Sequence, residues 1–276
     1  MIEIGKYNKL RVVKEVDFGI YLDGGDAGEI LMPKKYVPEN TQIDDIIEVF
    51  IYSDTEDRPI ATSETPLALV NEFAYLKVKE VNKFGAFLEW GILKELLVPF
   101  REQKADMIEG YSYIVYIYLD EQTNRLAASA KINKYMSDET PDYEINSEVN
   151  ILIQAQTEIG FKAIIENKHW GLLYHNEVFI NIEKGDKLTA YVKQIRDDGK
   201  IDLIIQKPGY DQIDGISQKI LETLKNNKGF IAANDNSSPD VINALFGISK
   251  KTFKKAVGSL YKKRLITIEN EGIRLV

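Results

Sequence analysis

The sequence predicts a mainly β chain that ends in a small α/β domain: three tandem five-stranded barrels of the OB type, then three helices and a β-hairpin. Three observations carry that prediction: an internal repeat, five short β segments within each repeat, and a switch to helical spacing after Pro208-Gly209. The repeat shows first in Phe84-Gly85-Ala86-Phe87-Leu88-Glu89-Trp90, whose copy is Phe18-Gly19-Ile20-Tyr21-Leu22-Asp23. The two glycines stand 66 positions apart, and the same offset joins Pro33 to Pro99, Val49 to Val115, Tyr52 to Tyr118, Asp54 to Asp120, Ala61 to Ala127 and Ser63 to Ser129. Stacking repeats have periods of about 20 to 50 residues, so a unit of this length is a small domain. A weaker third copy, Ile159-Gly160-Phe161-Lys162-Ala163, follows 75 residues after Gly85, and there the landmark proline becomes His175, one position late.

Within the first unit, residues 9–16 alternate, Gly19 to Asp23 is short and β-rich, Glu29 to Pro33 is apolar, Ile46 to Ser53 alternates again, and Ile60 to Glu64 closes the unit. Five short strands in this length fit a closed Greek-key barrel, and a strand glycine marks a place where a neighbouring backbone comes close. The second unit repeats the plan from Phe73 to Ile132, with Glu121 to Asn124 as its last turn, and the polar residues 133–147 read as a linker. The third runs from about Val149 to Pro208 and closes through the tight-hairpin pair Asp198-Gly199.

Beyond Pro208, Ile213, Ile216, Ile220, Leu221 and Leu224 recur at helical spacing, beginning at about Asp211 after a short connection. Ser238-Pro239 caps a second helix that stops at Gly247, and Ser249 caps a third that runs to about Lys263. Leu265 to Glu269 and Ile273 to Val276 form a final hairpin. Three helices and a two-stranded wing make a winged-helix plan. The expected domains are therefore 1–66, 67–145 and 146–209, each a barrel, and 210–276, the winged helix.

Charge speaks about partners. Residues 1–70 carry 7 basic and 14 acidic side chains, 71–145 carry 9 and 13, 146–209 carry 8 and 9, and 210–276 carry 11 and 7. The chain thus runs from acidic to basic, and polyanion affinity, which comes from neutralising phosphates, is expected at the C-terminal end. Zero cysteines remove disulfides and thiolate chemistry. No apolar run long enough to span a bilayer and no basic-then-apolar leader occur, so the expectation is a soluble cytoplasmic chain without a membrane partner.

The repeats resemble the ribosomal protein S1-type RNA-binding domain, whose second strand carries an F-G-x-F pattern. That resemblance places Phe18, Tyr21, Phe84 and Phe87, and Phe161 with Lys162 in the third copy, on a nucleic-acid face, with His175 at the end of the third strand. It matches the family's acid and base on the last hairpin to Asp54 and Arg58, and, one residue displaced, to Asp120 and Arg125. Proline stands at Pro33 and Pro99 where the family has histidine. Aromatics suit such a face because every base has a π surface to stack on. The residues also fit packed cores: strict alternation would put Phe84 and Phe87 on opposite faces, and His169, Trp170 and His175 would form a packed cluster.

In the third helix, Lys251, Lys254, Lys255 and Lys262 share a broad basic face opposite Phe253, Val257, Leu260 and Tyr261. Recognition helices present such a face to a groove, yet no arginine or Asn/Gln pair is placed to read bases. A solvated lysine face is the ordinary alternative.

Catalysis finds little support: the two histidines lack metal-ligand spacing, and no phosphate loop or nucleophile elbow occurs. No cofactor, metal or small-molecule substrate is expected. In domain order the chain resembles the conserved virulence factor B, or YitL-like, family of bacteria. That resemblance implies an RNA-binding, post-transcriptional regulator that takes single-stranded RNA. A winged-helix DNA-binding regulator and a protein-interaction scaffold on a ribosome or nuclease stay open as alternatives.

Overall fold

The computed structural model describes residues 2–178, 180–205 and 215–276. The chain divides into two compact units, Met1–Gln206 and Lys207–Val276. The connection expected between Pro208 and Asp211 lies outside the described residues.

The first unit holds three closed five-stranded barrels. Strands β1 (Tyr7–Val16), β2 (Gly19–Asp23), β3 (Glu29–Pro33), β4 (Ile46–Ser53) and β5 (Pro59–Thr62) form the first. The second comprises β6 (Phe73–Asn82), β7 (Gly85–Glu89), β8 (Leu96–Pro99), β9 (Ser112–Asp120) and β10 (Arg125–Ser129). The third comprises β11 (Glu148–Gln156), β12 (Gly160–Ile165), β13 (His169–Tyr174), β14 (Lys187–Ile195) and β15 (Ile201–Ile204). All three close alike: the first strand pairs with the second and fourth, and the third pairs in parallel with the fifth.

The long first strand can serve two neighbours because it bends at a β-bulge, and the bulge recurs at the same place: Val12/Lys14, Val78/Glu80 and Ile153/Ala155. The signature glycines answer to the third strand. A Cβ on Gly19 would lie 2.1 Å from the Met32 carbonyl oxygen, one on Gly85 2.2 Å from that of Val98, and one on Gly160 1.9 Å from that of Leu173. No side chain fits there, which is why glycine is the residue that survives in the diverged third copy.

Each barrel has its own apolar interior, but the units are not beads on a string. The second half of β4 is buried on both faces: Val49 and Ile51 fill the first barrel, while Phe50 and Tyr52 point out of it and join the core of the second. There Phe50 meets Trp90 edge to face, ring centroids 5.7 Å apart. Between the second and third barrels, Phe73, Ile114, Ile132, Leu152 and Ile164 form another buried seam. The expected linker is partly absorbed by it, because Tyr135 and Met136 pack on this seam and Tyr143 packs on the third core.

The second unit contains α1 (Gly215–Asn226), β16 (Phe230–Ile231), α2 (Pro239–Phe246), α3 (Lys250–Lys262), β17 (Ile266–Glu269) and β18 (Gly272–Leu275). Ser238 Oγ accepts from the Val241 amide, Pro239 opens α2, and Gly247 ends it at φ 68°. Ser249 caps α3 in the same way through Thr252. The wing has three strands, not two: β16 pairs with β18 in the order β16-β18-β17. A two-residue strand carries no period and left no trace in the sequence. Tyr261, expected on the apolar side of α3, is exposed, while Phe253, Val257 and Leu260 are buried.

Candidate nucleic-acid interface

The second strands of the three barrels share one burial rhythm after the glycine: buried, half-buried, buried. The first position holds Ile20, Ala86 and Phe161, the second Tyr21, Phe87 and Lys162. Phe161 therefore belongs to the core of the third barrel, 8% exposed, and not to the outward face expected for it; Lys162 stands at the position of Tyr21 and Phe87. Phe18 and Phe84 sit in the turns before their glycines, at 58% and 60% exposure, so strand alternation does not separate them from Tyr21 and Phe87. Ile159 is their counterpart in the third copy.

Strand register also corrects His175. Gly19 faces Pro33, Gly85 faces Pro99, and Gly160 faces Tyr174, so Tyr174 is the counterpart of the prolines. His175 opens the following 3-10 turn, as Lys34 and Phe100 do. It is exposed, lies edge-on to Phe161 with centroids 5.1 Å apart, and its Nε2 is 2.9 Å from the Thr157 carbonyl oxygen. A carbonyl only accepts, so Nε2 carries the proton.

In the first barrel, Phe18 and Tyr21 meet edge to face at 6.4 Å, and Lys14 Nζ lies 4.5 Å from the Tyr21 ring centre. Arg58 is held by two carboxylates, Asp54 at 2.8 Å and Glu56 at 2.9 Å. These hydrogen bonds and charges raise its pKa, and the two carboxylates offset its charge.

In the second barrel, Phe84, Phe87 and Arg125 line one cavity of about 430 Å³, whose opposite wall is the first barrel's Tyr52 to Asp57. Arg125, expected to meet a phosphate, instead holds Asp57 with both Nε and Nη2, the latter at 2.5 Å. The one-residue displacement of Asp120 and Arg125 also has a cause. Ser53 pairs with Pro59 across five residues, Leu119 with Leu126 across six, so the second turn is one residue longer.

The third barrel differs. Lys162 Nζ lies 3.5 Å from the centre of the Trp170 ring. Burial, then the charge of Lys104, depresses the Lys162 pKa. Lys162 and Trp170 border a cavity of about 700 Å³ with Glu158, Ile159, Arg196, Lys200 and Asp202. Arg196 and Lys200 occupy the hairpin positions that hold Asp54 and Arg58 in the first barrel, since the Arg196 amide bonds the Lys200 carbonyl as that of Asp54 bonds Arg58. Arg196 is tied to Asp202 at 2.7 Å and to the Tyr174 hydroxyl, and Lys200 to Asp198 at 2.6 Å. Trp170 was expected only in a packed cluster with His169 and His175, and Lys104, Arg196 and Lys200 carry no signal in the repeat. Aligning the closing hairpins by their turn residues instead finds the last two. His169 separates from Trp170, being buried with Nδ1 2.8 Å from the Tyr143 hydroxyl.

On α3, Lys251, Lys254, Lys255 and Lys262 are all exposed, and among the described residues none forms an ion pair. Among the described residues no cluster of histidine, aspartate or glutamate could hold a metal, and no helix is long and apolar enough to cross a membrane.

Two family models match this chain: the S1 domain, at residues 4–64 and 72–131, and the CvfB-like winged helix domain, at residues 218–275. YitL of Bacillus subtilis is 28% identical, over 96% of this chain and 91% of that one. Conserved virulence factor B of Staphylococcus saprophyticus is 23% identical, over 99% and 94%. The chain carries two S1 domains and a CvfB-like winged helix domain, and it is similar to YitL and to conserved virulence factor B along nearly its whole length. A crystal structure of a multidomain protein with nucleic acid binding domains from Streptococcus pneumoniae is 23% identical, over 99% of this chain and 98% of that one, with a TM-score of 0.43. The S1 matches support a nucleic-acid-binding role. They stop short of the third barrel, which has the same strand order as the two that are matched.

Proposed function

We propose that this protein binds single-stranded RNA as a post-transcriptional regulator, and that the third barrel and α3 carry the binding. The observation that supports this most is the Lys162–Trp170 pair beside an open cavity, with Lys104 as a second cation acting on Lys162 and, among the described residues, no ion pair formed by Lys162. An indole offers a base a stacking platform, and a partly desolvated ammonium without an acidic partner offers a phosphate an ion pair. The first two barrels hold aromatics as well, but Arg58 and Arg125 are already neutralised by aspartate and glutamate.

The α3 lysines add phosphate contacts without base readout, since a lysine is a point charge and no arginine, asparagine or glutamine lies on that helix. This favours RNA over a DNA operator. Fluorescence anisotropy of the full chain with a single-stranded RNA and with duplex DNA of the same sequence, over a salt series, tests the reading. The expected result is tighter RNA binding that weakens steeply with salt. Tighter binding to the duplex would support the DNA-regulator alternative, and no binding to either would support the protein-interaction scaffold.

A further inference from the structure

The turn between β4 and β5 is built to reach out of its own barrel. Asp54 Oδ1 accepts from the amides of Glu56 and Arg58, at 2.8 and 3.0 Å, which fixes the loop. Asp57 then sits at φ 65°, a left-handed conformation that aspartate tolerates better than most residues. From there its carboxylate forks onto the Arg125 guanidinium of the second barrel. Beside it Lys94, also of the second barrel, donates to the carbonyls of Ser53 and Asp54 at 2.5 and 2.9 Å. The Phe50–Trp90 contact underneath holds the two barrels in this arrangement.

Two facts make this more than a domain contact. The cavity that the turn borders is also lined by Phe84 and Phe87, so the turn engages the cation of the second barrel beside its aromatic rings, with Phe84 itself exposed. A carboxylate that accepts both guanidinium hydrogens in parallel also makes the same fork that a phosphate makes with arginine. We propose that the Asp54–Arg58 turn of the first barrel is a built-in competitor for nucleic acid on the second barrel, with the Asp57 carboxylate standing in for a phosphate on Arg125. The first barrel thereby withdraws the second from strand binding and leaves the third as the open one. Its acidic composition serves this purpose, because a covering element that carried lysines would attract the strand it excludes.

This rests on the nucleic-acid-binding reading above, and the test separates the two. Asp57 is 43% exposed at its side chain, so Asp57→Ala leaves the cores intact. Binding of one single-stranded RNA is measured for the full chain as wild type, Asp57→Ala, Arg125→Ala and the double variant. The proposal expects Asp57→Ala to bind about threefold more tightly at low salt, with a salt slope steeper by about 0.7, the value of one added phosphate contact on a single strand. That gain should vanish when Arg125 is also alanine. Unchanged affinity in Asp57→Ala, or an equal gain in both backgrounds, overturns the competitor and leaves the proposed function standing. No binding by wild type or any variant overturns both.

Discussion

Lys162 of β12 lies over the ring of Trp170 on β13, its ammonium 3.5 Å from the ring centre, where the other two barrels place Tyr21 and Phe87 on the second strand. The aromatic ring stands one strand along, and a cation occupies the second-strand position.

Replacing Trp170 by alanine is expected to weaken single-stranded RNA binding by about 1 to 3 kcal/mol, the range for one base-aromatic stack. Trp170→Phe keeps a ring and should retain most of the affinity. Titration of both variants, with circular dichroism to show that the barrels persist, checks this. Equal losses for alanine and phenylalanine would mean that the ring is not a platform.

Lys162 gives the binding a pH signature. Its free-state pKa is lowered from 10.5 by burial and by Lys104, and a bound phosphate stabilises the charged form. The ammonium is present below that pKa and lost above it, so affinity should fall as pH rises, the fall beginning below pH 10.5. Lys162→Arg stays protonated and should delay the fall. Identical profiles for the two would remove Lys162 from the site.

Much of this was legible beforehand, and the limits are physical. The repeat, the strand glycines and the helix caps are local requirements, so Gly160 and Ser238 announce themselves in the chain. The side of the strand that Phe161 occupies was not, because alternation gives two parities and only the barrel decides which one is inside. Phe50 and Tyr52 read as ordinary strand residues, though they tie two barrels together. Nor could any local pattern pair Asp57 with Arg125, which are 68 residues apart.

The shared core predicts shared unfolding. Phe50 is fully buried, and Phe50→Ala should cost about 3 to 5 kcal/mol as a large-to-small core change. Because its ring lies against Trp90, the loss should lower the melting of the first and second barrels together. Hydrogen exchange read strand by strand would reveal it; loosening confined to β1–β5 would mean that the barrels are independent.

Lys251, Lys254 and Lys255 replaced together by alanine should flatten the logarithmic salt dependence of RNA binding by up to about 2, three contacts at about 0.7 each. An unchanged slope would make α3 a solvated helix.

The most direct measurement is a crosslink map. Ultraviolet crosslinking of the full chain to a single-stranded RNA, followed by mass spectrometry of the modified peptides, reports which face the strand touches. The account predicts adducts on the peptides that contain Lys162, Trp170 and His175 and on α3, with few on those of Phe84 and Phe87. Adducts concentrated on Phe18 and Tyr21 or on Phe84 and Phe87, with the third barrel clear, would contradict it.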